Sequence, residues 1–342
     1  MEHAMHHSLA LLADKKNLPH DVAIRAFQII MNGGATPAQI AAFLMGLRIK
    51  GETVEEISAG AQAMRIKAKP FKGMTGSIDT CGTGGDSRGT YNISTTTAFV
   101  LAACGLPVVK HGNRSVSSRS GSADVLNVLG VKTDCEPEIA ERCLSECGIA
   151  FLFAPKFHPA MRHVAPIRSE LALRTVFNIL GPLTNPAKPD FQLLGVYNKS
   201  LLRPMAEVLK SLGTKAAWVV HGSDGLDELT ITGNSSVAAL KNGEITEFEV
   251  SPADADLPTT LLEDIKGGSP ETNASALIEA ISGVESHYRN TVVYNAAAGL
   301  VIAGKADNLK DGAKIAKEGI DSGKAHTILK KLVDISNSPL KA

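Results

Sequence analysis

Residues 77–130 constrain the fold and the chemistry of this chain more than any other stretch. They read SIDTCGTGGDSRGTYNISTTTAFVLAACGLPVVKHGNRSVSSRSGSADVLNVLG. The stretch combines two glycine-bearing turns, a helix start built from hydroxyl residues, and a basic loop. Glycine turns and helix N-termini present backbone amides to anions. A structural segment would not require so many of them, so the stretch predicts a site for a sugar phosphate and a diphosphate.

The first turn follows a short β-prone run that ends at Cys81. It contains Gly82, Gly84 and Gly85, and glycine permits positive φ angles and lets backbone amides approach an anion without a Cβ in the way. Asp86 repels a phosphate unless a cation or a sugar hydroxyl lies between them, which indicates a contact with ribose or Mg²⁺. Taken alone, the turn is equally compatible with an ordinary tight turn.

Polar residues cluster at the start of the next predicted helix. Asn92 and residues 94–97 precede the apolar run FVLAACG. The free amides of a helix N-terminus and the helix dipole both favour anions. Because one capping residue would satisfy the helix end, the additional hydroxyl groups favour a second part of the same anion site.

A basic loop over residues 110–119 follows the next predicted strand. It holds Lys110, Arg114 and Arg119 among serine, glycine and asparagine residues. This composition is typical of a loop that folds over a diphosphate when the ligand binds. A solvated basic loop is the alternative.

Two structural units are predicted, because the 342 residues of the chain exceed the roughly 100 to 200 residues of an ordinary domain. Helical periodicity, the N-cap Thr36 before Pro37, and the capping box of Thr53 and Glu56 predict a small all-helical unit over residues 1–70.

Residues 73–342 alternate short β-prone runs with helices, which is typical of an α/β unit with a mainly parallel central sheet. The predicted strands are 77–80, 107–110, 149–153, 192–196 and 216–220. A hairpin is predicted from 237–240 and 245–250, on either side of Asn242 and Gly243. Residues 291 to about 332 return to a helical pattern.

Composition narrows the class of partner. Lysine plus arginine and aspartate plus glutamate number 35 each, so the chain lacks the overall basic charge that nonspecific nucleic-acid binding needs. No run approaches the ~20 apolar residues of a membrane span. The five cysteines are odd in number and thinly spread, which favours free thiols in a reducing compartment and hence a cytoplasmic protein.

The motifs GTGGD, NIST, KHGNRSVSS and SGSADVL, in this order and spacing, resemble those of the anthranilate phosphoribosyltransferases. Similarity extends over nearly the whole chain, through ATPAQIAAFLMGLRIKGETVEEI, HPAMRHVAPIRSELALRTVFNILGPLTNP, GLDE and NAAAGLVIAGKA. KHGNRSVSS, and HPAM with NILGPLTNP, are very specific, whereas GTGGD alone is not. The resemblance implies phosphoribosyl transfer from 5-phosphoribosyl 1-diphosphate to anthranilate, which gives N-(5-phosphoribosyl)anthranilate and diphosphate in tryptophan biosynthesis.

The same resemblance implies a fold like that of nucleoside phosphorylases and phosphoribosyltransferases. The sequence pattern predicts a helical segment over residues 169–183, and the resemblance implies that residues 169 to about 187 return to the small helical unit. The resemblance also implies a homodimer that forms through the helical unit and two Mg²⁺ ions per site. The charge balance and the shortness of the apolar runs, by contrast, are the basis for predicting no nucleic-acid or membrane partner.

The site residues that the resemblance implies fall into three groups. The phosphoribosyl diphosphate would contact Gly82, Gly85, Asp86, Thr90, Asn92, Ile93, Ser94, Thr95, Lys110, His111, Gly112, Asn113, Arg114, Ser115, Val116, Ser117, Ser118 and Ser122. Anthranilate would contact Gly82, His111, Asn113, His158 and Arg168. The Mg²⁺ ligands would be Ser94, Asp227 and Glu228. No side chain is assigned as a nucleophile or general base.

Residue chemistry alone leaves several of these roles open. The planar guanidinium of Arg168 suits a carboxylate, although an arginine on a helix surface is the simpler interpretation. His158 could line the aromatic pocket or serve as a capping or core histidine. Asp224 lies close to the acidic pair and is predicted to be a turn residue. Arg88, in the variable stretch before Thr90, is a further candidate phosphate contact.

Two other functions are compatible with parts of the pattern. A pyrimidine nucleoside phosphorylase resembles this fold and has a glycine-rich phosphate loop and a KHG-type turn, but NIST together with GLDE is not expected in its site. A non-catalytic relative that binds nucleic acid would need a basic surface groove, which the balanced charge disfavours.

Overall fold

A computed structural model describes residues 2–115 and 119–339. Val116, Ser117 and Ser118, three of the residues expected to cover the diphosphate, therefore lie outside the described residues. The described chain begins with four helices, α1 (Glu2–Ala13), α2 (His20–Met31), α3 (Pro37–Lys50) and α4 (Val54–Lys67).

Two of these helices begin where their capping sequences predict. The hydroxyl of Thr36 accepts a hydrogen bond from the backbone N–H of Gln39 at 3.2 Å, and Pro37 is the first residue of α3. At the start of α4, the Thr53 hydroxyl accepts from Glu56 N–H at 3.3 Å, and Thr53 N–H donates to the Glu56 carboxylate at 2.8 Å. The predicted capping box is confirmed.

A seven-stranded sheet forms the centre of the rest of the chain. Its strands are β1 (Ile78–Gly82), β2 (Val108–Gly112), β3 (Ile149–Phe153), β4 (Phe191–Gly195), β5 (Ala216–Gly222), β6 (Ser235–Lys241) and β7 (Glu244–Val250). The strand order is β3-β2-β1-β4-β5-β6-β7, with β1 to β5 parallel and the hairpin of β6 and β7 antiparallel. The five predicted strands, the hairpin and the mainly parallel sheet are confirmed.

Further helices follow α4 along the chain, and those that contact the strands lie on both faces of the sheet. They are α5 (Ile93–Ala103), α6 (Ser122–Val128), α7 (Pro137–Cys147), α8 (Ala154–Phe157), α9 (Ala165–Leu171), α10 (Val176–Leu180), α11 (Leu202–Ser211), α12 (Pro270–Ile281), α13 (His287–Ile302), α14 (Leu309–Asp321) and α15 (Lys324–Asn337). Within the described residues, no helix has both the length and the apolar content needed to cross a membrane.

The helical segment predicted over residues 169–183 is wrong in one respect. It is interrupted after α9, where Ala172 adopts a left-handed conformation with φ of 48°. Thr175 then starts α10, and its backbone N–H donates to the Asn178 side chain at 3.0 Å. Residues 172–175 are consequently a short loop. The helices on either side lie against α3 and α4.

The apolar core has two parts, one on each side of the sheet. One part includes Phe99 of α5 and Tyr294 of α13. The other joins Phe27 and Phe43 of the N-terminal helices to Leu194, on the opposite face of the sheet. Helix α11 lies between α4 and the strands β5 and β6. The N-terminal helices therefore share a continuous core with one face of the sheet.

The capping residue Glu56 generates a test of the helical unit. Its carboxylate is fully buried, accepts from Leu18 N–H at 2.8 Å and pairs with the buried Lys50 ammonium at 2.9 Å. The substitution Glu56→Gln leaves that cation without its charge partner, so we expect a loss of about 3 kcal/mol in the free energy of unfolding. Urea denaturation measures this loss. The matched control is Glu55→Gln, at the exposed neighbouring position, and equal stability of the two variants would contradict the assignment.

Candidate active site

The candidate site lies at the edge of the sheet where the parallel strands end. Gly82 ends β1, and a Cβ atom at this position would overlap the Asp227 carboxylate. Gly195 ends β4, and a Cβ atom there would overlap the backbone carbonyl of Asp227. The turn after β5 that carries Asp227 and Glu228 can approach the strand ends because both positions are glycine.

The glycine turn after β1 adopts the backbone conformations that its sequence predicts. Gly84 and Gly85 have φ angles of 70° and 77°, in the left-handed region that favours glycine. Gly84 N–H donates to the Asp227 carboxylate at 2.7 Å. Asp86 accepts from Arg88 N–H at 3.2 Å and thereby holds the turn closed.

Two buried carboxylates form the electrostatic centre of the site. Burial and the nearby Asp86 raise the pKa of Asp227 well above its ordinary value. Burial raises the pKa of Glu228 to about 7, although Lys110 opposes the shift. Glu228 accepts from Ser94 N–H at 3.2 Å, and the Lys110 ammonium donates to the Ser94 hydroxyl at 3.2 Å. Three of the predicted metal and phosphate residues are thus joined by direct hydrogen bonds.

The donor set at this centre fits Mg²⁺. A hydroxyl and two carboxylates are hard oxygen ligands, and burial makes the ionised form of both carboxylates costly unless a cation compensates it. In residues 2–115 and 119–339, no group of three histidine, cysteine, aspartate or glutamate residues forms a complete metal cage. Mg²⁺ usually takes one or two carboxylates and completes its shell with water and substrate phosphate.

The start of α5 is packed between other elements. Ile93 and Thr95 are buried within it. The Asn92 side chain makes no capping hydrogen bond and instead donates to Ser120 O at 3.2 Å and accepts from Asn273 at 2.8 Å. The Asn92 side chain therefore connects α5 to α12 and to the segment before α6. Its predicted contact with a diphosphate stays a prediction.

The basic stretch begins inside the sheet. Strand β2 extends to Gly112, two residues beyond the predicted end. Lys110 therefore lies inside the strand, and His111, which was predicted on the loop, is a buried strand residue as well. The Lys110 ammonium donates to Thr80 O at 2.5 Å.

The described part of the loop that follows β2 folds back on α6. The Asn113 carbonyl accepts from the Ser122 hydroxyl at 3.3 Å, and Ser115 N–H donates to Asp124 at 2.9 Å. Arg114 lies 5.8 Å from the centre of the Phe153 ring. A Cβ atom on Gly112 would overlap the Ser122 hydroxyl, so the loop and α6 are in close contact.

His111 and His158 lie side by side, with ring centroids 5.1 Å apart. Burial and the neighbouring His158 lower the pKa of His111 to about 3, and burial lowers the pKa of His158 to about 4. Both imidazoles are therefore neutral at pH 7. His111 Nδ1 lies 3.2 Å from Gly181 O. Because a carbonyl only accepts, Nδ1 carries the proton and His111 Nε2 is an acceptor.

The Nε2 atoms of both histidines are buried and have no hydrogen-bond partner in the described part of the chain. The structure thus places His158 beside a predicted anthranilate residue. Arg168 lies on α9, 5.9 Å from the Phe177 ring centroid, and burial lowers the pKa of its guanidinium. In residues 2–115 and 119–339 this guanidinium has no carboxylate partner, and no hydrogen bond joins it to the two histidines.

Sequence reasoning missed Asn185 and Asp79, two buried residues whose hydrogen bonds join β1 and β2 beneath the site. Asn185 donates to the Asp79 carboxylate at 2.8 Å and to Val109 O at 2.7 Å. Asp79 accepts from His111 N–H at 3.3 Å, and burial raises its pKa to about 6. Asn185 belongs to the quoted motif NILGPLTNP, and a charged residue in the buried run SIDTCG could have indicated Asp79.

Two further segments border the site. Thr90 forms a β-bridge with Lys266, and Gly267 N–H donates to Gly89 O at 2.8 Å, so residues 265–267 fix the chain where it leaves the glycine turn. Asp224 accepts from Leu226 N–H at 3.1 Å and from two threonine hydroxyls, as its predicted turn role requires.

The chain matches two family models, one for a helical domain and one for an α/β domain, and both descriptions agree with the observed fold. Residues 7–68 match the helical bundle domain of a glycosyl transferase family, and residues 74–326 match the a/b domain of that family. It is 53% identical to the anthranilate phosphoribosyltransferase of Rhodospirillum rubrum over 331 residues, which span 97% of this chain and 95% of that protein. The chain belongs to the anthranilate phosphoribosyltransferase family.

Other members agree in sequence and in fold. The family member from Rhodopseudomonas palustris is 52% identical over 328 residues, which cover 96% of this chain and 97% of that one. The crystal structure from Thermus thermophilus superposes with a TM-score of 0.92 at 41% identity and covers 97% of this chain and 99% of that chain. The Saccharomyces cerevisiae structure in complex with PRPP and Mg has a TM-score of 0.90 at 27% identity, with 99% of both chains covered.

The pKa of Glu228 leads to a prediction about Mg²⁺. Between the ordinary value of 4.5 and the folded value of about 7, the folded state binds a proton that the unfolded state has lost. Without Mg²⁺, this group therefore lowers stability as pH rises through that window, by up to about 3 kcal/mol. Bound Mg²⁺ favours the ionised form, so we expect the Mg²⁺-induced rise in Tm to be larger at pH 8 than at pH 5.5.

The variant Glu228→Gln should flatten both effects, because an amide does not titrate. Differential scanning fluorimetry at several pH values measures them. Glu279→Gln, at an exposed position of α12, is the matched control and should retain the wild-type profile. A pH profile of Glu228→Gln equal to that of the wild type would remove Glu228 from the metal site.

Proposed function

We propose that this protein transfers the phosphoribosyl group of 5-phosphoribosyl 1-diphosphate to the amine of anthranilate, the second step of tryptophan biosynthesis from chorismate. In this reaction, the bond from C1 of the ribose to the diphosphate oxygen breaks and a bond from C1 to the nitrogen forms. The amine releases one proton and diphosphate leaves. The observation that carries the proposal is the proximity, at one sheet edge, of the buried carboxylate centre and the neutral histidine pair.

The leaving group requires neutralisation of its charge. Ser94, Asp227 and Glu228 would hold Mg²⁺, which supplies positive charge to the diphosphate when it is bound, and we propose two ions per site. Lys110 adds a cation that its bonds to Thr80 and Ser94 already orient. A charge held in place before the reaction stabilises developing negative charge without reorganisation.

The acceptor pocket would orient the amine. The Arg168 guanidinium suits the anthranilate carboxylate, because it can donate two parallel hydrogen bonds. The unpaired Nε2 atoms of His111 and His158 suit N–H donors. Both imidazoles are neutral, so they accept from the amine without repelling Arg168. No covalent nucleophile is needed, since positioning and stabilisation of the leaving group are sufficient for the displacement.

A fluorescence assay tests the activity directly. Anthranilate is consumed only when phosphoribosyl diphosphate and Mg²⁺ are both present, if the proposal holds. A nucleoside phosphorylase would instead cleave a pyrimidine nucleoside with inorganic phosphate, and a nucleic-acid-binding protein would consume neither substrate. Unchanged anthranilate fluorescence with the complete mixture would contradict the proposal.

Arg168 provides the specificity test. The substitution Arg168→Ala should raise the KM for anthranilate by about 100-fold, because a charge-assisted bidentate contact is lost, and should raise the KM for phosphoribosyl diphosphate by much less. Steady-state kinetics with each substrate varied measure the two constants. Arg162→Ala, at an exposed nearby position, is the control. Equal increases in both KM values would argue against the assigned role.

We also propose that the chain divides into a helical unit of residues 1–70, joined by residues 169 to about 187, and an α/β unit of residues 73–342. The protein would be a cytoplasmic homodimer that forms through the helical unit. Ile49 and Ile66 support this surface, since the two residues are 66% and 62% exposed although both are large and apolar. The free cysteines support a reducing compartment. Light scattering should give twice the mass of one chain, and a monomeric mass would contradict the dimer.

A further inference from the structure

Arg174 makes an unusual set of contacts in the short loop between α9 and α10. Its guanidinium lies 4.2 Å from the centroid of the Tyr197 ring. On its other side it faces Gly85, where a Cβ atom would lie 3.0 to 3.2 Å from three guanidinium atoms. The guanidinium is therefore sandwiched between an aromatic ring and the glycine turn after β1. None of the sequence motifs assigned Arg174 a role.

A hydrogen bond between Arg174 and the glycine turn fixes the orientation of one peptide group of the turn. Arg174 Nη2 donates to the carbonyl of Gly85. In a trans peptide, the carbonyl of one residue and the N–H of the next point in opposite directions. The bond consequently directs the N–H of Asp86 away from Arg174. In the described part of the chain, no acceptor is bonded to this N–H.

Tyr197 is itself fixed to the same turn. Its N–H donates to the Thr83 hydroxyl at 3.2 Å, and Thr83 N–H donates to Gly195 O at 2.9 Å. The ring that covers one face of the guanidinium thus belongs to a segment that is bonded to the turn. Arg174 and Tyr197 form a rigid support for Gly85.

The backbone of Arg174 is bonded to one of the N-terminal helices. Its carbonyl accepts from Nη1 of Arg48, on α3. The loop has little freedom, because Ala172 is in the left-handed region and Thr175 starts α10. Helix α9, which carries Arg168, ends one residue before this loop. The loop therefore connects the elements assigned to the two substrates.

We infer that Arg174 is a positioning residue for phosphoribosyl diphosphate. It holds the Gly85 carbonyl, so that the Asp86 N–H is available to the anionic ligand. Because Arg174 follows α9 closely in the chain, the position of this N–H depends on the position of α9. The inference rests on the proposed function. It also gives a reason for glycine at position 85 that is independent of the ligand, since a side chain there would displace the guanidinium.

Substitution of Arg174 separates this role from ligand contact elsewhere. We expect Arg174→Met to raise the KM and the Kd for phosphoribosyl diphosphate by about tenfold or more, and the KM for anthranilate by less than about threefold, because only one ligand depends directly on the turn. Arg174→Lys should be intermediate, since lysine keeps a donor but lacks the planar group that stacks on tyrosine. Arg203→Met, on the exposed face of α11, should match the wild type.

Tyr197 provides the second variant, in case Arg174→Met folds poorly. Tyr197→Leu removes the stacking partner and should raise the KM for phosphoribosyl diphosphate by about threefold, whereas Tyr197→Phe keeps the ring and should not. Steady-state kinetics give the KM values, calorimetric titration gives the Kd without turnover, and thermal unfolding measures stability.

The outcomes are distinct. If the wild type binds phosphoribosyl diphosphate and Arg174→Met binds it with the same Kd, the inference is overturned and the proposed function stays intact. Parallel changes in both KM values and in Tm would also overturn it, since they indicate a general structural role. A wild-type protein without affinity for phosphoribosyl diphosphate would overturn both the inference and the proposed function.

Discussion

The close packing of the turn at Asp227 and Glu228 against the ends of β1 and β4 is the constraint on which the rest of the site depends. It requires glycine at positions 82 and 195, because a Cβ atom at either would overlap Asp227. The turn then takes one hydrogen bond from the glycine loop and one from the start of α5. The glycine loop and the start of α5 are thereby fixed to a pair of carboxylates that lies more than 130 positions farther along the chain.

This packing is unfavourable in the absence of a cation. Ionised carboxylates are costly to bury without a partner, and the raised pKa values of Asp227 and Glu228 reflect that cost. Burial likewise favours the neutral form of the nearby His111 and His158, and for an imidazole this lowers the pKa. Neighbouring groups whose pKa values are shifted in opposite directions are typical of active sites.

The fold and much of the site could be predicted from the sequence because they depend on local signals. Capping residues marked the start of α3 and α4, short β-prone runs marked the strands, and glycines marked the turn after β1. The contacts missed are those between distant residues. Arg174 and Gly85 are 89 positions apart, and Asn185 and Asp79 are 106 apart. Spacing along the chain does not show which distant polar group a side chain will meet.

The break after α9 and the length of β2 were missed for another reason. Apolar spacing alone does not distinguish a continuous helix over residues 169–183 from two helices separated by a loop. The polar composition after Lys110 predicted a loop from His111 onwards, although His111 is buried in the strand. Sequence predicts the charge of a group more readily than its depth. The depth depends on partners such as Ser94 and Gly181, which the tertiary structure supplies.

The continuous core beneath the N-terminal helices also limits how the molecule can move. Helix α11 packs both on α4 and on the sheet, and Arg65 of α4 donates to Leu183 O at 2.8 Å and to Leu212 O at 3.4 Å. A wide hinge opening would expose this apolar surface and break these bonds. This packing favours small sliding displacements of packed helices, a shear motion that keeps the bundle on the sheet, over a wide hinge opening.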